Sequence, residues 1–489
     1  IVSPTLTGPA GGIYYSDPPG LYLDKDSGAI TTASSTIGDY DVYYSRFSGI
    51  GTWTLIGADI DAEAGSSGSI PNFNRNGISV RLNAAGNVLI TLSPNSDNNA
   101  TRAGQMRAFY NNNGTWERIG HNIGGEADQG EWHSASADHI AVNDAGDIIA
   151  MSNPRNESAC SNCGRVIVLR RTNGIWSQLG SEIVGEAATV GEKFFGLSIA
   201  LNSAGDVLAI GDSKHRQGGT AANKGAVHVY QFNGTDWVRK GATGLIIPPD
   251  YGDTTPNWGW SVDLDSSGDN VVIGSAEHDN EGMVVVYEYD APNWNQKGDE
   301  KDGGSSVDKF GRNVSINADG NMILVGQPQF LTNRGKAYAY KYNEDSAIWD
   351  YWDNDCELCS STDNIRSGWS VALNGSGNTA AIGEPYGIAD GARGQVTVWR
   401  QIQQDDSGDL LPTWTKIGND IVGEVNNGRF GWGVDLNAKG NIVAVGAPNN
   451  DQTGGNDRGM VRVYELISDN SRDPFKISVV ASGISDTTI

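Results

Sequence analysis

The sequence predicts an all-β protein, a seven-bladed β-propeller of four-stranded antiparallel blades. Three observations support this: a strand–turn–strand phrase recurs seven times, a similar third strand and a Trp-led fourth strand recur with it, and no helical period appears. Between 52 and 63 residues separate consecutive turn glycines, so a repeat of about 60 residues must stack on its neighbours to bury its apolar face. These turn glycines are Gly86, Gly146, Gly205, Gly268, Gly320, Gly377 and Gly440.

Each unit contains four strand candidates, which are clearest in the third copy. FFGLSIALN and DVLAIGDS are its first and second strands, GAVHVYQF is its third, and WVRKG is its fourth. In the turns between first and second strands, as at Asn83 and Gly86, Asn is expected to tolerate an unusual backbone and Gly to supply a positive φ. The fourth-strand tryptophans are expected to fill the wedge between neighbouring sheets. They are Trp53, Trp116, Trp176, Trp237, Trp294, Trp349 or Trp352, and Trp414.

Chain order predicts how the ring closes and where the domains lie. The fourth strand at 52–57 precedes the first complete phrase, whereas the last phrase ends at 466 with no Trp strand after it. Pairing the two would complete the last blade and satisfy two sheet edges. The expected domains are a partial immunoglobulin-like β segment at 1–48, the propeller at 49–466, and a C-terminal extension at 467–489. That extension would begin another β module or supply a strand between subunits.

Composition restricts the class of partner. Lys and Arg number 34 against 59 Asp and Glu, a formal net charge of -25, which opposes binding to nucleic acid. The charge fits a well-solvated secreted surface or an affinity for divalent cations such as Ca²⁺, the one cofactor considered. No run of 18 apolar residues predicts membrane insertion. The chain begins Ile-Val-Ser-Pro, which is expected of a processed chain or a piece of a longer one.

Cysteines and sequons favour an extracellular or cell-surface location. The four cysteines form two CxxC pairs 193 residues apart, in the second and fifth units, which favours two local disulfides over a shared zinc site. They are Cys160, Cys163, Cys356 and Cys359. Glycosylation sequons considered usable are Asn99, Asn113, Asn156, Asn233 and Asn374, of which Asn113 and Asn233 lie in the best-exposed turns, while Asn313 falls within a predicted strand.

The repeat resembles the FG-GAP class of propeller repeat over residues 50–466. Phe195-Gly196, Phe310-Gly311 and Phe430-Gly431 carry the "FG" element, and Gly446-Ala447-Pro448 carries the "GAP" element. Integrin-like members of this class often hold calcium in a DxDxDG loop between the first two strands. The turns of this chain are too short and too poor in carboxylates for that cage, so calcium is not expected there. Residues 1–48 are similar to a phrase of immunoglobulin-like or cadherin-like modules.

Two groups of residues are candidate binding sites. A recurring Ile-x-Gly-Glu element places Glu126, Glu186 and Glu424 on the face of the loops that follow the second and fourth strands. These carboxylates either face water or form a rim for a divalent cation, together with Asp97, Asp212, Glu277, Asp279, Glu384 and Asp451. Trp258, Trp260, Trp369 and Trp432 cluster at the entrance to the first strand, where some would line the channel mouth and stack on a sugar.

The leading functional prediction is a non-enzymatic extracellular scaffold or adhesion module of a larger surface protein or filament. Its partners would be surface or matrix proteins or glycans, with self-assembly through the terminal segments. The prediction depends on the complete blade set and on the absence of a GxSxG elbow, a phosphate loop and ligand-spaced histidine pairs. One alternative is a carbohydrate-binding propeller that uses the tryptophans. The other is a glycan-processing enzyme with His133, His215 or His278 at the mouth.

Overall fold

Within the described residues the chain is all-β and forms a seven-bladed propeller, which confirms the predicted fold class. The computed structural model describes residues 12–17, 38–46, 51–63, 74–96, 104–124, 139–154, 163–186, 194–215, 224–247, 257–304, 308–353, 358–359, 362–387, 391–402, 411–451, 458–467 and 477–481. No helix among these residues is long and apolar enough to cross a membrane.

Each blade is an antiparallel sheet whose first strand lines the central channel and whose fourth strand lies outermost. In that order the strands are Ser79–Leu82, Val88–Ser93, Gln105–Asn112 and Thr115–Arg118 in blade 1; Ile140–Val142, Ile148–Asn153, Arg165–Thr172 and Ile175–Gln178 in blade 2; Phe195–Leu201, Val207–Asp212, Ala226–Phe232 and Trp237–Arg239 in blade 3; Ser261–Leu264, Asn270–Ser275, Met283–Asp290 and Asn293–Gln296 in blade 4; Val314–Ile316, Met322–Gln327, Lys336–Asn343 and Ile348–Tyr351 in blade 5; Ser370–Leu373, Thr379–Glu384, Gln395–Gln401 and Trp414–Lys416 in blade 6; and Val434–Leu436, Ile442–Ala447, Met460–Ile467 and Thr52–Leu55 in blade 7.

Short elements complete the blades. Two-residue strands pair with the third strand of six blades: Ile60–Asp61, Ile123–Gly124, Ile183–Val184, Leu245–Ile246, Lys301–Asp302 and Ile421–Val422. A 3₁₀ turn, His278–Asn280, and a one-turn α-helix, Phe330–Asn333, lie between second and third strands.

The N-terminal strand closes the ring as predicted. Thr52–Leu55 pairs antiparallel with the third strand of blade 7, and Trp53 lies opposite Leu466. Ile60–Asp61 pairs with the same strand further along. Blade 7 therefore joins the two ends of the propeller sequence in one sheet.

Strands from both ends of the chain form a separate three-stranded antiparallel sheet. Gly38–Arg46 is its centre, with Gly12–Asp17 on one side and Ile477–Ala481 on the other. The predicted immunoglobulin-like character of 1–48 stays a prediction, since three strands do not make a two-sheet sandwich.

The fourth-strand tryptophans join neighbouring blades, as the sequence predicted. Each indole Nε1 donates a hydrogen bond to a backbone carbonyl that follows the fourth strand of the preceding blade, so each large ring is fixed in the wedge between two sheets. The pairs are Trp53 to Ile417 O (3.0 Å), Trp116 to Ile56 O (3.0 Å), Trp176 to Ile119 O (3.3 Å), Trp237 to Leu179 O (2.8 Å), Trp294 to Lys240 O (3.0 Å), Trp349 to Lys297 O (2.8 Å) and Trp414 to Trp352 O (2.9 Å).

The tight turns between first and second strands form a ring of hydrogen bonds around one end of the channel, which we call the turn belt. In six of them a backbone N–H donates to the equivalent carbonyl of the next blade, and the Asn83 side chain completes the seventh junction through Asp144 O (3.2 Å). The six are Asp144 to Ser203 (3.1 Å), Ser203 to Ser266 (3.3 Å), Ser266 to Ala318 (3.1 Å), Ala318 to Gly375 (2.9 Å), Gly375 to Ala438 (3.0 Å) and Ala438 to Ala84 (3.0 Å).

The turn chemistry differs in one respect from the prediction. The glycines have positive φ as expected, for example 73° at Gly86, but Asn83 does not adopt the left-handed conformation. Its side-chain Oδ1 instead accepts hydrogen bonds from Asn87 N (3.0 Å) and Val88 N (2.8 Å). The asparagine is therefore selected for capping the hairpin with its amide, not for tolerating an unusual backbone.

Candidate functional site

The central channel contains a cavity of about 200 Å³ that is lined by the first strands. Its polar side chains are used to join blades. Asp435 accepts a hydrogen bond from Leu82 N (2.6 Å), and Asp263 accepts one from Ile316 N (2.9 Å). Because these carboxylates satisfy the exposed edges of neighbouring first strands, they are structural groups.

The end of the channel opposite the turn belt, which we call the mouth, is built by a recurring turn before the first strand. In five blades the residue that opens this entry turn has a left-handed backbone although it is not glycine: Arg75, Asn257, Lys309, Arg366 and Arg429, with φ between 52° and 61°. A left-handed conformation is costly for residues with a Cβ, and such strain is concentrated at functional sites. Four of the five carry a positive charge.

An arc of aromatic rings and guanidinium groups runs across the mouth from blade 4 to blade 7. Arg312 lies over Trp369, 3.8 Å from its ring centroid, and reaches Trp260 at 5.8 Å. Trp369 in turn packs against Trp432, with ring centroids 4.6 Å apart. The arc is therefore continuous through contacts between adjacent blades.

Tyr386 extends the arc outward in blade 6. Arg429 and Arg366 both lie over its ring, at 3.8 and 4.2 Å from the centroid. Its ring also packs against Trp369, with centroids 5.5 Å apart. Cation–π contacts hold the guanidinium groups in place without neutralising them.

Three buried N–H donors of the arc have no hydrogen-bond acceptor among the described residues. They are the indole Nε1 of Trp260, the indole Nε1 of Trp432 and Nη1 of Arg429. Buried donors are nearly always paired in folded proteins, so three on one surface mark the mouth as a candidate binding site. The mouth offers donors and ring faces together.

The four tryptophans proposed as ligand contacts have different environments. Trp260, Trp369 and Trp432 meet at the mouth as described above. Trp258 is fully buried in the hydrophobic core between blades 3 and 4, and its ring packs against Tyr287. It therefore has no surface to offer a ligand.

Two of the three Ile-x-Gly-Glu carboxylates, Glu186 and Glu424, lie in the described residues, and each pairs with an arginine. Glu186 lies 3.4 Å from Arg239 of the next blade, and Glu424 lies 3.0 Å from Arg462 of the next blade. Glu63 forms the same kind of pair with Arg118. These glutamates therefore neutralise cations at separate blade junctions, and Glu126 lies outside the described residues.

The other proposed rim carboxylates are also dispersed. Glu277 pairs with Lys309, and Asp279 lies 3.6 Å from His278. Asp212 and Glu384 are buried in different blades, Asp451 is exposed, and Asp97 lies outside the described residues.

Glu384 is a buried carboxylic acid with a raised pKa. It is buried in blade 6, where Ser367 Oγ donates to its carboxyl at 3.0 Å and Gln395 Nε2 donates to its other oxygen. Burial raises its pKa to about 7, despite these donors. The carboxyl lies beside the entry turn that carries Arg366, but it is enclosed.

The histidines of the enzyme alternative do not assemble at the mouth. His215 is buried in blade 3 and His278 in blade 4, while His133 lies outside the described residues. The glycan-processing hypothesis that depended on them is therefore not supported by the described residues.

Cys163 and Cys359 are each disulfide-bonded. Cys160 and Cys356 lie outside the described residues, so the two local pairings stay a prediction. Among the sequons, Asn113 and Asn233 are exposed, whereas Asn374 is buried and its Oδ1 accepts from Thr379 N at 2.8 Å. Asn374 is thus a turn residue and not a glycan acceptor, and Asn99 and Asn156 lie outside the described residues.

Sequence reasoning missed Arg312, Arg366, Arg429 and Tyr386. A signal for two of them, Arg366 and Arg429, was present, since a basic residue or Asn stands two positions before the glycine of the first strand in five blades. The sequence alone gave no indication that these positions have a left-handed backbone and face the mouth.

Comparisons with known proteins identify the architecture and no family. No protein-family model matches the chain, and no curated protein matches its sequence. The FG-GAP resemblance therefore stays a proposal.

Three solved structures resemble the chain. The periplasmic gluconolactonase PpgL of Pseudomonas aeruginosa is 14% identical, covering 83% of this chain and 98% of its own, with a TM-score of 0.45. U3-55K is 10% identical, with the same coverage and TM-score. The β-propeller domain of the Trilobed protease from Pyrococcus furiosus is 13% identical over 75% of this chain and 90% of its own, with a TM-score of 0.39.

The prediction of a non-enzymatic adhesion scaffold is corrected. The finding against it is that the solved propellers that resemble this chain include a gluconolactonase. At these identities the likeness establishes the fold alone, and the chain is described as a seven-bladed β-propeller.

Proposed function

We propose that this protein binds a small cyclic carboxylate at the mouth of its propeller. The observation that carries the proposal is the arc of Trp260, Arg312, Trp369, Trp432 and Arg429, in which three buried N–H donors have no acceptor among the described residues. A ligand that supplies oxygen acceptors and a ring face would match both features.

The charge of the site favours an anion. The chain as a whole has a net charge of -25, yet four of the five left-handed residues at the mouth are Arg or Lys. No carboxylate among the described residues forms an ion pair with Arg366 or Arg429. Arg binds carboxylates through charge-assisted, often bidentate, hydrogen bonds, so a ligand carboxylate would complete this site.

The aromatic rings favour a ligand that carries a ring. Trp260 and Trp432 are half-buried, and Trp369 links them through Arg312 and a direct ring contact. Indole faces pack against the C–H face of a sugar ring or against an aromatic ring, and indole N–H donates to a hydroxyl or carboxylate oxygen. Uronic acids and aromatic acids both belong to this class.

Two further proposals concern the surroundings of the protein. The disulfides at Cys163 and Cys359 support an extracytoplasmic location, because such bonds persist in oxidising compartments. The exposed sequons at Asn113 and Asn233 are compatible with that location.

Calorimetry with glucuronate, benzoate and uncharged glucose tests the proposed ligand class. We expect glucuronate or benzoate to bind and glucose to bind much more weakly, because glucose lacks the carboxylate. NMR spectra of the same mixtures would distinguish a bound ligand from a substrate that is converted.

Two substitutions locate the site. Arg429→Gln and Trp260→Phe should each weaken binding by roughly 5- to 100-fold, equivalent to about 1–3 kcal/mol for a lost charge-assisted or buried hydrogen bond. Arg118→Gln is the matched control, since Arg118 lies in the outermost strand of blade 1 and pairs with Glu63. Binding that survives both mouth substitutions, or no binding of either acid at millimolar concentration, would refute the proposal.

A further inference from the structure

A buried cluster of three metal-ligating side chains lies inside blade 3, and none of the three belongs to the mouth arc. Asp212 ends the second strand, His215 lies in the turn that follows, and His228 lies in the third strand. One ligand atom from each lies within 4.8 Å of the other two. His215 Nδ1 is 3.2 Å and His228 Nε2 is 3.8 Å from the same oxygen, Asp212 Oδ2.

Two atoms of this cluster are buried and have no hydrogen-bond partner among the residues that the structure describes. They are Asp212 Oδ1 and His228 Nε2, and both side chains are about 99% buried, with exposures of 1% and 2%. An unpartnered carboxylate oxygen and an unpartnered imidazole nitrogen in one dry site are costly in an isolated fold. A bound cation would satisfy both at once.

The three side chains of the cluster interact electrostatically with one another. Burial acts to raise the pKa of Asp212, but the His215 hydrogen bond and the proximity of His228 outweigh it and lower the pKa to about 2. Burial lowers the pKa of His228. Carboxylate oxygen and imidazole nitrogen are ligand types that zinc accepts in proteins.

Arg239 is a cation that opposes a metal at this cluster. Its Nη1 lies 3.1 Å from His228 Nδ1 and donates to it, so the His228 proton is on Nε2, facing Asp212. A metal at Nε2 would place the proton on Nδ1 and displace Arg239. Arg239 has other partners to move to, since Glu186 Oε1 is 3.4 Å and Thr243 O is 3.5 Å away, and its side chain is 35% exposed.

We propose that Asp212, His215 and His228 bind a divalent transition-metal ion of the zinc class, and that Arg239 occupies the outer side of His228 when the metal is absent. Three protein ligands of the N and O type leave a fourth position for water, which is the arrangement of zinc sites that keep an open coordination position. The sequence pattern, Asp-x-x-His with a second histidine at 228, matches no familiar metal motif. The ligands come together because the second and third strands of blade 3 pair. Asp212 pairs with Ala226, two residues before His228.

Zinc titration of the chelator-treated full chain by calorimetry tests this site. We expect one Zn²⁺ per chain, with affinity falling as the pH is lowered, because protons compete with the metal for the histidine nitrogens. Co²⁺ in place of Zn²⁺ would report the coordination geometry through its visible absorption. His121→Gln is the matched control, because His121 is exposed and distant from the cluster.

Two variants separate a metal site from a hydrogen-bonded core. Asp212→Asn should weaken Zn²⁺ by more than about 100-fold, which exceeds the loss caused by an outer-sphere change. Arg239→Gln should tighten it by roughly tenfold, about 1.4 kcal/mol, by removing the competing cation. Arg239 is a surface residue, so this variant keeps the test interpretable if Asp212→Asn folds poorly. The proposal would be overturned if the chain did not bind Zn²⁺ stoichiometrically. It would also be overturned if Arg239→Gln bound Zn²⁺ no more tightly than the unchanged chain.

Discussion

Arg462 in the last blade donates two hydrogen bonds to Asp59, 403 residues earlier in the chain, at 2.7 and 2.8 Å. These bonds raise the pKa of Arg462 and fix its guanidinium, which also contacts Glu424. The bidentate pair connects the N-terminal strand to the strand that it completes. The ring is therefore closed by an ion pair as well as by backbone hydrogen bonds.

Asp59→Asn should lower the stability of the whole propeller. Removing the charge leaves the buried Arg462 with Glu424 as its remaining carboxylate, so we expect a loss of about 1–3 kcal/mol. Asp420→Asn is the control, since Asp420 pairs with Lys416 at 2.8 Å where both side chains are more than one-third exposed; it should cost less than about 1 kcal/mol. Denaturant unfolding measures both, and equal midpoints would contradict the role of Asp59 in closure.

Trp349→Phe should be more damaging than Trp399→Phe. Trp349 is fully buried between blades 4 and 5 and donates to Lys297 O at 2.8 Å, whereas Trp399 is half-buried and donates within its own strand to Thr397 Oγ1 at 3.1 Å. The first change removes an inter-blade bond and leaves a cavity, which should cost about 2–4 kcal/mol. Thermal unfolding of the two variants compares them, and similar midpoints would argue against the indole bond as an inter-blade tie.

The stability of the fold should fall as pH rises from about 4.5 to about 7 through Glu384. Its folded pKa of about 7 is raised above the ordinary 4.5, so the folded state holds a proton that the unfolded state loses in this interval. The neutral acid thus makes its full contribution to the free energy of unfolding below pH 4.5, and this contribution is lost once the pH passes 7. Glu384→Gln mimics the neutral acid and should flatten that part of the curve, adding about 1–3 kcal/mol at pH 8. An unchanged pH profile in this variant would contradict the raised pKa.

Gly146→Ala should cost more than Gly174→Ala, although both glycines have left-handed φ, 72° and 82°. A Cβ on Gly146 would lie 2.7 Å from Val88 of the preceding blade, whereas one on Gly174 would meet nothing within 4 Å. We expect about 1 kcal/mol of backbone strain at Gly174. The added clash at Gly146 should bring its loss to about 2–4 kcal/mol. Equal losses would show that the turns do not pack against the neighbouring blade.

The fold was predictable because its signals are local and repeated. Turn glycines and fourth-strand tryptophans recur in every unit, so seven weak signals add up to a reliable blade count. The one ambiguity, Trp349 or Trp352, needed the structure. Trp349 donates to blade 4, and Trp352 supplies the carbonyl that accepts from Trp414.

The candidate sites were predictable only in part, because each joins residues that do not recur. The position of Trp260, Trp369 and Trp432 before the first strand was enough to place them at the mouth. Asp212 and His228, however, come together through the pairing of two strands, and their separation in sequence resembles no ligand motif. Glu186 and Glu424 were predicted as possible cation ligands because their arginine partners, which come from the next blade, cannot be identified from the sequence.

The turn belt has a consequence for where the protein can be redesigned. Its hydrogen bonds all run in one rotational direction, so every turn is both a donor and an acceptor, and lengthening one would break the belt on two sides. The variation in unit length, 52 to 63 residues, is instead accommodated by the connections elsewhere in each unit. A library of grafted peptides would therefore be inserted in the loops after the second and fourth strands, with the seven turns kept at their present length.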